Sequence, residues 1–203
     1  MIWGDDSRLY FTPSREQNEI AHWVAEQRQN ESTANGYRPF SATPTSVEKN
    51  RQGVTGEMGV ADYLGRAFVA WSYLAARARH YDTGSVQVKT RPRADSDLGL
   101  MARHCRDCIY VLLVPHAITS PLTLRFAGWA TGSEVFSHAE PDRHGVWYLP
   151  QSRLDREYRG LSSLVRAPPG ISASCLVLRR LHLPTRLVRR SAWFTSYGPT
   201  ITA

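Results

Sequence analysis

Ser85-Val86-Gln87-Val88-Lys89-Thr90 alternates polar and apolar residues with period two, the pattern of a strand with one face on a core. Val86 and Val88 share one face, Gln87 and Lys89 the other. Just upstream, Tyr81-Asp82-Thr83-Gly84 has the composition of a turn. From Thr55 to about Ala78, the apolar residues Ala61, Leu64, Phe68 and Trp71 recur at steps of three and four, which predicts an amphipathic helix. Glu57 stands four residues before Ala61, behind the start chemistry of Thr55-Gly56. Downstream, residues 91–98 read as a polar connection, and 108–114 as a strand buried on both sides. Residues 122–131, 146–149 and 175–183 predict further strands, and 154–165 a short helix. The sum is a mixed α/β domain around one central sheet.

Residues 1–50 read as a separate front extension, and 51–203 as the main domain with a basic C-terminal part. Pro13-Ser14 followed by residues 16–29 predicts a helix carrying Ile20, Trp23, Val24 and Gln27. Residues 30–45, rich in Ser, Thr, Asn, Gly and Pro, read as a linker. The chain has 203 residues, of which 42% are hydrophobic and 21% charged, values that exclude wholesale disorder and fibrous repeats. No apolar run is long enough to span a bilayer. The first ten residues carry Asp5 and Asp6 without an apolar segment, so no secretory signal is expected. Three cysteines, Cys105, Cys108 and Cys175, are too few for a disulfide framework, and a cytoplasmic location is expected.

The net charge of +7 is concentrated. Residues 151–190 hold nine arginines against Asp155 and Glu157, while the rest of the chain balances. Such a tract suits either a solvated face or a polyanionic partner, DNA above all. Arg153, Arg156, Arg159 and Arg166 fall near one face of the helix predicted there, and Arg91 follows the Gln87–Lys89 strand. These five are the candidate nucleic-acid contacts. Only Lys49 and Lys89 among the 25 basic residues are lysine.

Glu57, Asp82, Gln87 and Lys89 form the one group that suggests chemistry. Phosphodiester hydrolysis gathers negative charge on the phosphoryl oxygens, which a divalent cation on oxygen ligands can offset. Magnesium takes one or two carboxylates and keeps waters. Asp82 would be the central ligand, Gln87 a neutral oxygen ligand and Glu57 a supporting one. Lys89, on the Gln87 face, would orient the attacking water and stabilise developing charge. A compact ammonium suits that role better than a planar guanidinium. Each residue also has a plain structural use: a first-turn acid, a turn former, the wet face of a strand.

The segments Gly56-Glu57-Met58-Gly59-Val60-Ala61-Asp62-Tyr63-Leu64-Gly65, Asp82, and Val86-Gln87-Val88-Lys89-Thr90 together resemble the PD-(D/E)xK superfamily of restriction-endonuclease-like nucleases. That family includes Holliday-junction resolvases and phage and restriction nucleases. Asp107 to Val114 and Gly128-Trp129-Ala130 are similar to the third and following strands of its phage-type members. Gln87 replaces the usual acid, a variant found in Mrr-like branches, and Tyr81 replaces the proline that names the motif. The resemblance covers about residues 53–150. It implies a restriction-endonuclease-like mixed sheet flanked by helices, and a magnesium- or manganese-dependent DNA endonuclease or resolvase-like enzyme. Its site would be Glu57, Asp82, Gln87 and Lys89, and homodimers are common where both strands are cut. The alternative is a DNA-binding protein that keeps the fold without the chemistry. A zinc site starting from His104-Cys105-Arg106-Asp107-Cys108 is a weaker third reading, since no second cysteine pair follows at regular spacing.

Overall fold

The computed structural model describes residues 10–36, 46–66, 68, 70, 86–116, 123–138 and 140–156, all within one compact unit, Met1–Pro169. Asp82, Arg159, Arg166 and the strand expected at 175–183 lie outside the described residues.

The first long helix, α1 (Arg15–Ala34), starts where its sequence says it should. The Ser14 hydroxyl accepts from the Gln17 backbone N–H at 3.1 Å, and the Gln17 side chain accepts from the Ser14 N–H at 2.8 Å. This reciprocal pair satisfies two of the four donors a helix leaves unbonded at its start. The helix runs five residues beyond the expected end.

The second helix, α2 (Ser46–Tyr63), is displaced from the 55–78 expected. It begins nine residues earlier and crosses the 50/51 boundary between the front extension and the main domain. It ends at Tyr63 although the apolar period continues through Phe68 and Trp71. The reason is Gly65, whose φ of +62° suits a residue without a Cβ. The Arg66 N–H donates to the Ala61 carbonyl at 2.8 Å and the Gly65 N–H to the Asp62 carbonyl at 3.0 Å. That pair of bonds closes a Schellman motif and satisfies the last carbonyls. Residues 54–61 are buried without a break, so this stretch of α2 is covered all round. Gly56 meets Val88, Thr90 and Leu113 of the sheet, and Gly59 meets Phe11. These two glycines let the helix lie close on the strands, and α1 packs on α2 as well.

The main sheet is mixed, in the order β1 (Tyr10–Phe11), β5 (Leu124–Thr131), β4 (Ile109–Pro115), β2 (Val86–Thr90). β2 pairs with β4 in parallel, whereas β4 with β5 and β5 with β1 are antiparallel. A second, two-stranded sheet joins β3 (Leu98–Met101) to β6 (Val146–Leu149). β1, β3 and the helix α3 (Gly132–His138) were not anticipated. β1 and α3, at two and seven residues, are too short to show a period, and β3 begins where the polar connection was expected to end. Among the described residues the fold is thus mixed α/β with three helices, the expected central mixed sheet and a second, two-stranded sheet beside it.

Alternation sorts the core onto the two faces of the main sheet. Val86, Val88, Val111, Leu113 and Phe126 pack with Val60 under α2. Tyr110, Leu112, Val114 and Ala127 pack with Leu98, Leu100, Val135 and Leu149 of β3, α3 and β6. Between Leu112 and Leu113 the register slips by one residue, as in a β-bulge. Gly128, opposite Leu112, has φ of +141°.

The helix expected over 154–165 does not begin at Leu154. Gln151–Arg153 is one 3₁₀ turn, and Asp155 then pairs with Trp129 through backbone bonds of 2.9 and 3.0 Å. Arg153 and Arg156 are exposed but do not share a helical face. No helix among the described residues is long and apolar enough to cross a membrane.

A Cβ at Gly128 would fall 2.5 Å from the Leu154 Cβ and 2.8 Å from the Asp155 carbonyl oxygen, whereas one at Gly65 would meet nothing within 4 Å. Gly65→Ala is therefore expected to cost about 1 kcal/mol, from backbone strain alone. Gly128→Ala adds overpacking and should cost about 3 kcal/mol or more. Guanidinium unfolding of the two variants checks the order, and equal losses would contradict it.

Candidate functional site

Strand β2 turns Gln87 and Lys89 to the face opposite α2. Gln87 is only 7% exposed, and a buried amide needs a partner. Its Oε1 accepts from Lys89 Nζ at 3.1 Å. Lys89 Nζ also lies 3.2 Å from His104 Nε2 and 5.6 Å from the centre of the Tyr110 ring, a cation–π distance. The turn after β3 brings His104 there, closed by the bond from the His104 N–H to the Met101 carbonyl at 2.9 Å. His104 Nδ1 is 2.7 Å from the Met101 nitrogen and 3.1 Å from its carbonyl oxygen. The imidazole meets the Tyr110 ring edge-on, with centroids 5.9 Å apart, and the Tyr110 hydroxyl donates to the Cys105 carbonyl at 3.0 Å. Three segments thus converge on one ammonium.

His104 is the site residue that sequence reasoning assigned only to the zinc alternative. Both its ring nitrogens are engaged, with Lys89 and with Met101, and among the described residues no group of three His, Cys, Asp or Glu is arranged to hold a metal ion. Burial first, then the Lys89 ammonium, lower the imidazole pKa from 6.5 to about 4, with Arg103 and Arg91 adding to the effect and the Met101 backbone opposing it. The ring is neutral at pH 7.

Glu57 is not part of this group. It is 8% exposed, and its two carboxylate oxygens accept from Arg28 Nη1 and Nη2, each at 2.8 Å. Arg28, itself 6% exposed, comes from α1, on the far side of the sheet from Lys89. The expectation of Glu57 as a supporting ligand meets this bidentate pair instead. A carboxylate so deep in a helix interface needs a cation beside it. Asp82 lies outside the described residues.

Arg91, a candidate phosphate contact, is turned inward. Its Nη2 donates to the Gly99 carbonyl at 3.0 Å, and burial lowers its pKa, opposed by Tyr148. It braces β3 against the end of β2. Arg153 and Arg156 remain exposed, as a phosphate contact requires.

No known family, characterised protein or solved structure matches the chain.

Arg28→Ala would strand a buried carboxylate and is expected to cost about 3–5 kcal/mol, whereas Arg28→Met with Glu57→Leu should be far milder. Chemical denaturation of the single and double variants measures this, and equal losses would contradict it. A second prediction concerns pH. Between about 6.5 and about 4 the unfolded chain takes up a proton at His104 that the folded chain refuses, so stability falls as the pH drops through that window and is unaffected above it. For a half-exposed ring the loss is on the order of 1–2 kcal/mol after solvent screening. The stability gap between the native protein and His104→Gln should shrink by that amount from pH 7.5 to 4. A constant gap would contradict the assignment.

Proposed function

We propose that the chain is a metal-dependent nuclease that hydrolyses DNA phosphodiester bonds at the Gln87–Lys89 face of β2. The observation that carries this reading is the Lys89 ammonium held by Gln87 at 3.1 Å, with His104 Nε2 3.2 Å away. A positive charge held in a half-buried site can stabilise the charge that builds on a phosphoryl oxygen without reorganising as it does so. The resemblance of residues 56–65, 82 and 86–90 to PD-(D/E)xK nucleases and the arginine-rich 151–190 tract support the same reading, as does the mixed sheet on which the Q-x-K strand lies. The finer assignment, a restriction-endonuclease-like fold, belongs to this proposal.

The proposed donor set would make a magnesium site with one carboxylate. Gln87 offers a neutral oxygen and Asp82 the anionic ligand, the sparse set that magnesium completes with water. Glu57 does not fit as a direct ligand, because Arg28 occupies both its oxygens. When bound, the ion would supply an activated water and polarise the phosphate. Within the chain, Gln87 orients the Lys89 ammonium, Lys89 stabilises the negative charge of the transition state, and Arg153 and Arg156 contact the backbone phosphates.

A second reading, DNA binding without cleavage, draws on the same Arg28–Glu57 closure, which removes one acid from the expected set. Incubation with magnesium and linear, branched or single-stranded DNA separates the two. Cutting that falls about 100-fold or more in Lys89→Ala and in Asp82→Asn supports the nuclease. Undiminished cutting in both variants overturns the site. Salt-sensitive retention of DNA without cutting supports the binding reading.

A further inference from the structure

We propose that Tyr148 is a stacking platform for an unpaired DNA base, so that the strand entering the candidate site is single-stranded or locally splayed. The inference rests on the nuclease reading for the cut itself, and it adds a residue from outside the resembling motifs.

Tyr148 lies on β6 opposite Gly99 of β3. Alternation turns Trp147 and Leu149 toward the core with Leu98 and Leu100, and it turns Tyr148 outward. Among the described residues it is the one large hydrophobic side chain left exposed, at 41%. A single exposed aromatic needs no explanation by itself. The seat beneath this one is what distinguishes it. A Cβ at Gly99 would fall 2.9 Å from Tyr148 Cε1 and would also meet the Arg91 guanidinium. The lack of a side chain at residue 99 therefore lets ring and guanidinium lie against the strand. Arg91 is tied there by its Nη2 bond to the Gly99 carbonyl at 3.0 Å. The ring is thus backed by β3 on one side and open to solvent on the other. A tyrosine has only two side-chain torsions, so one held this way gives up little freedom when a base stacks on it.

Charge selects the occupant. Arg91, beside the ring, and Arg103, exposed in the turn after β3, make no ion pair among the described residues. A neutral apolar partner would leave both cations unanswered. A nucleotide brings a π-face for the ring and a phosphate for a guanidinium.

Position ties the platform to the candidate site. Met101, whose N–H is 2.7 Å from His104 Nδ1, follows Gly99 by two residues on β3, about 7 Å of strand. The platform is therefore a nucleotide-scale step from the polar group around Lys89. A strand laid across both would present a base to Tyr148 and a phosphodiester to Lys89. An intact duplex keeps its bases stacked on one another and offers none to the ring.

The test uses the full chain without magnesium, so that cutting plays no part. Fluorescence anisotropy compares two labelled single strands of equal length, an oligothymidylate and an abasic strand with the same phosphates. The native protein should bind the base-bearing strand at least about fivefold more tightly. Tyr148→Trp should keep that preference. Tyr148→Leu, which fills the seat on Gly99 without a π-face, should lose it while holding the abasic strand as the native chain does. Equal native affinity for the two strands overturns the proposal, as does failure to bind either, or a preference that persists in Tyr148→Leu. Magnesium then tests the nuclease reading separately. A native protein that prefers the base-bearing strand yet cuts no DNA keeps the platform and loses the nuclease. One that cuts without that preference keeps the nuclease and loses the platform.

Discussion

The bidentate contact between Arg28 and Glu57 is the constraint on which the helical layer depends. Glu57 lies in the stretch of α2 that is covered on every side, where an isolated carboxylate would lose its hydration with nothing in return. Arg28 restores the balance from α1, 29 residues earlier. The pair therefore does more than join two helices. It specifies which face of α1 meets α2, because a planar guanidinium satisfies both oxygens in only a narrow range of orientations. With that orientation set, Gly56 and Gly59 can settle on the strands beneath.

That arrangement separates two tasks that the linear order of residues places side by side. Strand β2 has one face devoted to packing, through Val86 and Val88, and another that gathers polar groups around Lys89. The helix belongs to the first face. The turn after β3 belongs to the second, and it supplies the imidazole that faces the ammonium. Stability and candidate chemistry therefore meet at β2 without sharing side chains. Their shared support is the β2–β4 ladder, whose parallel pairing runs from Val86 to Thr90.

How much of this could be read from residues alone depended on how local each signal was. The start of α1 was legible because Ser14 and Gln17 lie three residues apart and cap the helix by themselves. The buried run of β4 and the bounds of β6 were legible for a similar reason, since composition and alternation act over a few neighbours. The end of α2 was not, because an apolar period continues past Gly65 and periodicity carries no information about a left-handed glycine. The pairing of Glu57 with Arg28 was not legible, because that partner lies 29 residues away in sequence. Arg91 looked like a surface cation, and only the position of β3 shows that its guanidinium is covered. His104 carried a weak signal, its place in a His-Cys-x-x-Cys run, and that signal pointed toward metal rather than toward lysine.

The enclosure of α2 over residues 54–61 has a consequence for motion. A helix with one wet side can fray or breathe while its neighbours stay in place, but this one must first lose α1 or lift from the sheet. Its amide protons should therefore trade with solvent only through openings close in free energy to full unfolding. Among the described residues, slow exchange is then expected in the middle of α2.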